Sequence, residues 1–366
     1  MTTVVSLIAG GTAGHIEPAL AVARRIRVER EEIVCEFVGT KRGLETSLIP
    51  EAGFVLRTIR KVPMPRKISL KILTWPFEMC IAMVETFQVL KKSNLIIGFG
   101  GYVSAPCYFI GWLLRIPIVI HEQNAKPGWA NRFGAYFTDS ILLAFSGARK
   151  TSKRWKNAQV IGMPLRESLL EVARMEPEMR RDIRKSLCAR TSFNPDLPLV
   201  VVFGGSQGAR RINDTIFTSL PALASKKIQI IHGVGKGNSH PDATEYYLPY
   251  PYLDNMPELY AAADLVIARS GAVTCSELSA AQVFSLLIPL PIGNGEQRAN
   301  AQDLLESGIA EVIDNSHITN DWLIENIEQL LTKALLVKNN LVPKTIPDAA
   351  LSVMQVALQK LQPVGA

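Results

Sequence analysis

A chain of 366 residues exceeds one ordinary hydrophobic core, so two domains are expected. With 48% hydrophobic and 20% charged residues it has the composition of a soluble globular protein, and its net charge of +7 suits an anionic ligand or surface without selecting nucleic acid. Five scattered cysteines without a CxxC pair read as reduced thiols, the histidines show no metal-ligand spacing, and no apolar run reaches the roughly 18 residues of a membrane span or makes a signal peptide.

Taken in order, buried-type strand runs are "VVSLIAG", "IVCEFVG", "NLIIGFG", "IPIVIHE", "SILLAF" and "AQVIG". A charged segment over 167–196, with two prolines, then separates a second series: "LPLVVVFGG", "IQIIHGVG", "DLVIARSG", "FSLLIPLPIG" and "IAEVID". Short continuous apolar strands alternating with helical patterns predict parallel sheets covered on both faces. The expected fold is therefore α/β, with two doubly wound domains of similar size.

The two series echo each other. "LIAGGTAGH" and "VVFGGSQGA" share one plan, a strand, two glycines, a small-residue loop and a helix start; "IIGFGGYVSAP" and "VIARSGAVTCSE" share another. Glycine lets backbone N–H groups approach a ligand without a Cβ in the way, and a following helix start adds partial positive charge. Four such turns predict phosphate or diphosphate sites at the carboxyl ends of the strands. A dinucleotide oxidoreductase fits poorly, because the second strand ends in Gly39-Thr40 where that fold wants an acid, and Glu36 falls inside the strand.

Six motifs in order, "GGTAGHIEPALAVA", "GFGGYVSAP", "HEQNAKPGWANR", "FGGSQGARRIN", "RSGAVTCSEL" and "GEQRANA", carry a specific resemblance. The chain resembles the bacterial lipid II synthase family, the N-acetylglucosaminyltransferases of peptidoglycan synthesis. The resemblance implies a GT-B fold, two Rossmann-like domains facing across a cleft. Residues 1–162 would form the acceptor and membrane-facing domain, 163–346 the UDP-GlcNAc domain, and a final helix in 347–366 would pack back on the first. Ala13 departs from the family's usual glycine and is tolerable there if its φ is negative or the ligand leaves room. The family's Gly-Asn-Pro turn reads Gly162-Met163-Pro164, with Arg166 in its usual place.

The implied reaction moves GlcNAc from UDP-GlcNAc to lipid I with inversion, so one displacement suffices and no enzyme nucleophile is needed. His15 is the candidate base, because an imidazole titrates near working pH; Glu122 is the alternative. Read locally, His15 could instead cap a helix, and Glu122 could orient a neighbour. Glu277 would accept hydrogen bonds from the ribose hydroxyls, although Thr274 and Glu277 also fit the spacing of a capping box. The backbone from Ala272 through Val273, Thr274, Cys275 and Ser276 would border nucleotide and sugar. Ser206 would meet the diphosphate, Arg166 the departing UDP, and the Leu253 backbone the uracil. Gln297, Asn300 and Asn124 would present amides to the sugar. Thr12, Ala13 and Gly14 would border the donor, while Gly11, Gly14, Gly100, Gly101, Tyr102 and Ser104 would hold the acceptor diphosphate.

No metal site is expected, no cofactor is required by the sequence, and a role for magnesium is not legible in it. The basic run from Arg57 to Lys71, followed by Leu73, Trp75 and Phe77, predicts docking on an anionic membrane surface. The location implied is the cytoplasmic face of the cell membrane, with cell-wall synthesis and division proteins as further partners. Two other functions fit the same motifs: a UDP-GlcNAc 2-epimerase, and an inactive nucleotide-sugar-binding module.

Overall fold

The computed structural model describes residues 2–61, 71–205, 207–291 and 294–361, the side chains of 71–76 excepted. Ser206 and the side chains of Leu73 and Trp75 lie outside the described residues. The chain forms two compact units, Met1–Arg166 with Pro347–Ala366, and Glu167–Ile346.

The first unit runs β1 (Thr3–Ile8), α1 (Ala13–Glu29), β2 (Ile33–Thr40), α2 (Glu45–Glu51), β3 (Val55–Ile59), α3 (Lys71–Leu90), β4 (Leu95–Gly98), α4 (Ser104–Leu113), β5 (Ile118–Glu122), α5 (Trp129–Gly134), β6 (Ile141–Leu143) and β7 (Gln159–Val160). Its seven strands lie in the order β3-β2-β1-β4-β5-β6-β7 and every pairing is parallel. Alternation along β1 explains the two layers. Val5 and Leu7 point into a core with Ile16, Leu20 and Ala23 of α1, whereas Ile8 joins Val103, Cys107 and Tyr108 on the opposite face.

The second unit begins with two helices, α6 (Glu167–Arg174) and α7 (Pro177–Thr191), and continues through β8 (Leu199–Phe203), α8 (Arg210–Ser225), β9 (Gln229–Gly233), β10 (Tyr247–Tyr250), α9 (Met256–Ala262), β11 (Leu265–Ala268), α10 (Ala272–Ala281), β12 (Ser285–Leu287), α11 (Glu296–Asn300), α12 (Gln302–Glu306), β13 (Ala310–Val312) and α13 (Asn320–Asn339). The sheet order is β10-β9-β8-β11-β12-β13, again all parallel. Helix α14 (Ala349–Gln359) belongs to the first unit, where Val353, Met354 and Ala357 enter the core beside α1.

The charged segment over 167–196 does lie between the two strand series, β7 and β8, but it is helical and belongs to the second unit. It folds as α6 and α7, which pack on α9 and α10 of their own unit. Pro177 opens α7, a position that needs no N–H donor, and Arg180 and Arg184 are buried, bonded to backbone carbonyls of Val172, Ala281 and Ala262. The strand series also lacked β3 and β10. Both are edge strands, the first with Val55 and Arg57 outward and the second carrying Pro249, which an edge tolerates.

Candidate functional site

In each sheet the chain order reverses between two neighbouring strands, β1 and β4 in the first unit and β8 and β11 in the second. Helices leave such a pair toward opposite faces, which opens a crevice at the carboxyl ends of the strands. All four glycine turns leave from these four strands.

In the first unit the turn after β1 is held open by its own backbone. Gly11 takes φ +93°, and a Cβ there would meet nothing within 4 Å, so conformation rather than crowding demands glycine and the space beyond is free for a ligand. Thr12 is the extended residue before α1 and Ala13 is the first helical residue, so the methyl group sits at ordinary helical φ. Gly14 follows on the same turn. Gly101, at φ +88°, comes so close that its Cβ would stand 2.6 Å from Gly10 O, which locks the two glycine turns together.

His15 lies in the first turn of α1 rather than in the loop. Its Nδ1 is 3.1 Å from Gln123 Oε1, and its Cε1 lies 3.4 Å from where a Gly100 Cβ would be, so the ring bridges both turns. Glu122 is fully buried at the end of β5. Its Oε1 accepts from Asn124 N (2.9 Å) and Nδ2 (3.2 Å), and its Oε2 from Asn131 Nδ2 (3.0 Å) and Gly128 N (3.1 Å). Burial raises its carboxyl pKa, while the donors of Asn124, Asn131 and Gly128 and the nearby His15 ring oppose that. Both oxygens are engaged, and through them Glu122 shapes the 123–128 loop. Asn124 is drawn onto that carboxylate.

Ser104 must be corrected. Its hydroxyl is buried and donates to Gly100 O at 2.7 Å, so it braces the turn instead of facing an acceptor diphosphate. Tyr102 is half-buried, with its ring 6.3 Å from that of Trp129 and 5.4 Å from the Lys61 ammonium. Arg166, at the end of the unit, reaches Glu17 of α1 at 3.6 Å.

In the second unit Gly205 repeats the geometry of Gly11, with φ +97° and nothing within 4 Å of a would-be Cβ. Helix α10 starts at Ala272 with Gly271 as its N-cap, so Thr274 and Glu277 do not form a capping box. The first turn, Ala272, Val273 and Thr274, therefore presents backbone N–H groups without a side-chain cap. Cys275 points into the core, where burial pushes its thiol pKa up, so it can border a ligand only through its backbone; Ser276 is half-buried. Glu277 is buried one turn further along, and its Oε2 accepts from the Tyr260 hydroxyl at 2.9 Å.

Gln297 and Asn300 do share α11. The Gln297 Oε1 accepts from Leu290 N (2.9 Å), and Asn300, buried, donates to Ser270 O (3.4 Å). Both amides brace the loops that follow β11 and β12, and Asn300 reaches a sugar only through the loop it holds. The Leu253 side chain covers Gly233 at the end of β9, where a Cβ would stand 2.9 Å from Leu253 Cγ.

Sequence reasoning missed several members of these sites. Glu45 is completely buried and accepts from Gly11 N (3.1 Å), Thr40 N (3.1 Å) and Thr40 Oγ1 (2.6 Å). In "GTKRGLE" it reads as one more solvated loop charge. Tyr260 stands 17 residues before the acid it contacts, with no local signal. Gln123 was legible in principle, because alternation in "HEQN" puts His121 and Gln123 on one side and Glu122 on the other. Among the described residues no cluster of three His, Cys, Asp or Glu side chains could hold a metal ion.

Two Rossmann-like sheets, each with paired glycine turns at its switch point, define the class of GT-B glycosyltransferases. The model of the glycosyltransferase family 28 N-terminal domain matches residues 5–143, and that of the family 28 C-terminal domain matches 199–350. The UDP-N-acetylglucosamine–N-acetylmuramyl-(pentapeptide) pyrophosphoryl-undecaprenol N-acetylglucosamine transferase of Streptomyces coelicolor is 41% identical over 336 residues, covering 89% of each chain. The crystal structure of Acinetobacter baumannii MurG superposes with a TM-score of 0.72 at 26% identity, covering 98% of this chain and 99% of that one. A UDP-GlcNAc 2-epimerase from Neisseria meningitidis reaches a TM-score of 0.64 at 12% identity, a likeness of fold alone. The chain belongs to the family of these N-acetylglucosamine transferases, the lipid II synthases of glycosyltransferase family 28.

Proposed function

We propose that this chain transfers GlcNAc from UDP-GlcNAc to the C4 hydroxyl of MurNAc in undecaprenyl-pyrophosphoryl-MurNAc-pentapeptide, inverting the anomeric centre and yielding lipid II. The observation that carries this reading is the 41% identity, spread over 89% of the chain, with a relative named for that reaction.

The local chemistry supports it. The donor would be held on the second unit, with its diphosphate at the Gly205 turn and the open first turn of α10, where N–H groups and the helix dipole favour negative charge. The same donors would stabilise UDP as it leaves. Glu277 would take the ribose hydroxyls. The acceptor diphosphate would lie at Gly11, Gly14, Gly100 and Gly101 of the first unit, and His15 would remove the proton of the attacking hydroxyl.

No described helix is long and apolar enough to cross a membrane, yet the proposed acceptor carries a long lipid. We place the membrane contact on the first unit. Phe77 of α3 is 70% exposed, Trp112 and Leu113 of α4 are more than half exposed, and Phe133 lies at the end of the same aromatic run. Rings link Trp112 to Phe137 (5.6 Å) and Phe137 to Phe133 (5.0 Å), so these three rings form one patch. Arg154 sits over exposed Tyr136 nearby. Exposed aromatics beside cations suit an anionic lipid interface. Arg57 and Arg60 are less available for this than their sequence suggests, being paired with Glu36 and Glu85.

The test is transfer of labelled GlcNAc from UDP-GlcNAc to a lipid I analogue, with epimerisation of UDP-GlcNAc assayed alongside. Transfer without epimerisation is expected. Epimerisation without transfer would overturn the reading.

A further inference from the structure

We propose that Gln123, itself oriented by His121, sets the tautomer of His15, holding the ring proton on Nδ1 and leaving Nε2 as the bare, basic nitrogen. The inference rests on the reading of His15 as the general base and explains how the fold prepares that base before substrate arrives.

The argument runs from groups whose hydrogen-bonding sense is fixed. The Gly162 carbonyl can only accept, and His121 Nε2 lies 2.9 Å from it, so His121 carries its proton on Nε2. The His121 ring is completely buried, and burial lowers its pKa to about 4, so at neutral pH it is uncharged and its Nδ1 is an acceptor. The Gln123 amide therefore meets two acceptors, His121 O at 2.9 Å and His121 Nδ1 at 3.3 Å. Its NH2 must face them, because the reversed amide would set a carbonyl oxygen against both.

That choice turns Gln123 Oε1 toward His15, 3.1 Å from Nδ1. An amide oxygen can only accept, so His15 Nδ1 is the protonated nitrogen. A neutral imidazole then keeps its lone pair on Nε2, as removal of a hydroxyl proton requires. A glutamine partner orients the ring without adding a charge of its own. Gln123 is 1% exposed and His121 0%, so water does not compete for the bonds between them.

The chain contains only five histidines, so the His15 ring signal can be assigned from one His15→Gln variant of the full-length, 15N-histidine-labelled protein. Long-range 1H–15N correlation should show His15 as the Nδ1–H tautomer at neutral pH. Gln123→Met keeps side-chain length without the acceptor. It should move His15 toward the Nε2–H form and lower kcat roughly tenfold to hundredfold, with donor KM within about twofold. His121→Phe leaves Gln123 only the backbone acceptor and should give a smaller change in the same direction. A wild-type His15 in the Nε2–H form overturns the proposal, and this needs no variant to fold. A folded Gln123→Met protein that keeps the Nδ1–H form or wild-type kcat also overturns it. Failure of the base reading would look different: His15→Ala would retain turnover while the wild-type ring still showed Nδ1–H.

Discussion

Removing one buried oxygen tests the proposed donor site sharply. Tyr260 is 1% exposed and its hydroxyl donates to Glu277 Oε2 at 2.9 Å, so in Tyr260→Phe no solvent replaces the lost donor. A hydrogen bond to a charged group contributes about 1.5–3 kcal/mol. Part of that loss falls on stability, since the carboxylate stays buried with one partner fewer. The part reaching the donor complex is what freedom of Glu277 costs in gripping the ribose, and about 0.6–1.4 kcal/mol corresponds to a threefold to tenfold rise in KM for UDP-GlcNAc. Because the ribose is remote from the reacting carbon, kcat should stay within about twofold. The assay is steady-state transfer to a lipid I analogue, run with UDP-GlcNAc and with its 2′-deoxyribose counterpart. The deoxy donor lacks one of the hydroxyls the acid would hold, so the Tyr260→Phe penalty should shrink with it. An equal penalty on both donors, or a fall in kcat at unchanged KM, would refute the reasoning.

The other expectations are more direct. Glu277→Ala should weaken UDP-GlcNAc binding by about 1–3 kcal/mol, read by calorimetry, and unchanged affinity in a folded variant would remove the acid from the donor site. His15→Ala should reduce kcat by roughly 10²–10⁴ with donor affinity kept; a loss of only a few-fold would place the base elsewhere. His121 and His232, buried in separate units, are held neutral with pKa values lowered to about 4 and about 3 from 6.5. For a histidine lowered by folding, the stabilisation is fully present above the unfolded pKa and is lost as pH falls. Each unit should therefore lose about 1.4 kcal/mol per pH unit on acidification below about pH 6.5. Urea unfolding at pH 7, 6 and 5 measures this, and a flat profile would mean that these rings protonate without cost. Binding to anionic vesicles should fall with salt and fall further in a folded Phe77→Ser, Trp112→Ser double variant; equal binding to neutral vesicles would return the aromatic patch to a packing role.

The sequence disclosed the architecture wherever burial was uniform. Runs such as "LVVVF" and "NLIIGFG" are covered on both faces, so their apolar content is continuous and points to interior parallel strands. It concealed β3 and β10 because an edge strand needs no continuous apolar run and can carry Arg57 or Pro249. It concealed α6 and α7 because arginine looks solvated in one dimension, whereas Arg180 and Arg184 are buried against carbonyl oxygens. The glycine turns were legible because positive φ leaves a residue signature. The side chains that support them were not. Ser104 lay inside a recognised motif, yet whether its hydroxyl faced a ligand or Gly100 O depended on a rotamer that spacing does not encode.

Those supports share one physical logic. A glycine turn proposed to offer N–H groups to a phosphate keeps some of them unpaired, so others must hold its shape from behind. Glu45 does this for the first turn, gripping Gly11 N and the end of β2 from a position with no solvent contact. Glu122 does it for the loop after β5, collecting donors from Asn124, Gly128 and Asn131. A carboxylate suits the task because each oxygen accepts more than one hydrogen bond, and because charge-assisted bonds are strong enough to offset much of its burial. Each acid also takes up donor capacity behind the turn while Gly11, at φ +93°, leaves open space in front. The buried acids of the first unit thus brace its glycine loops from behind, and His15 is tied through Gln123 to the same strand end as Glu122.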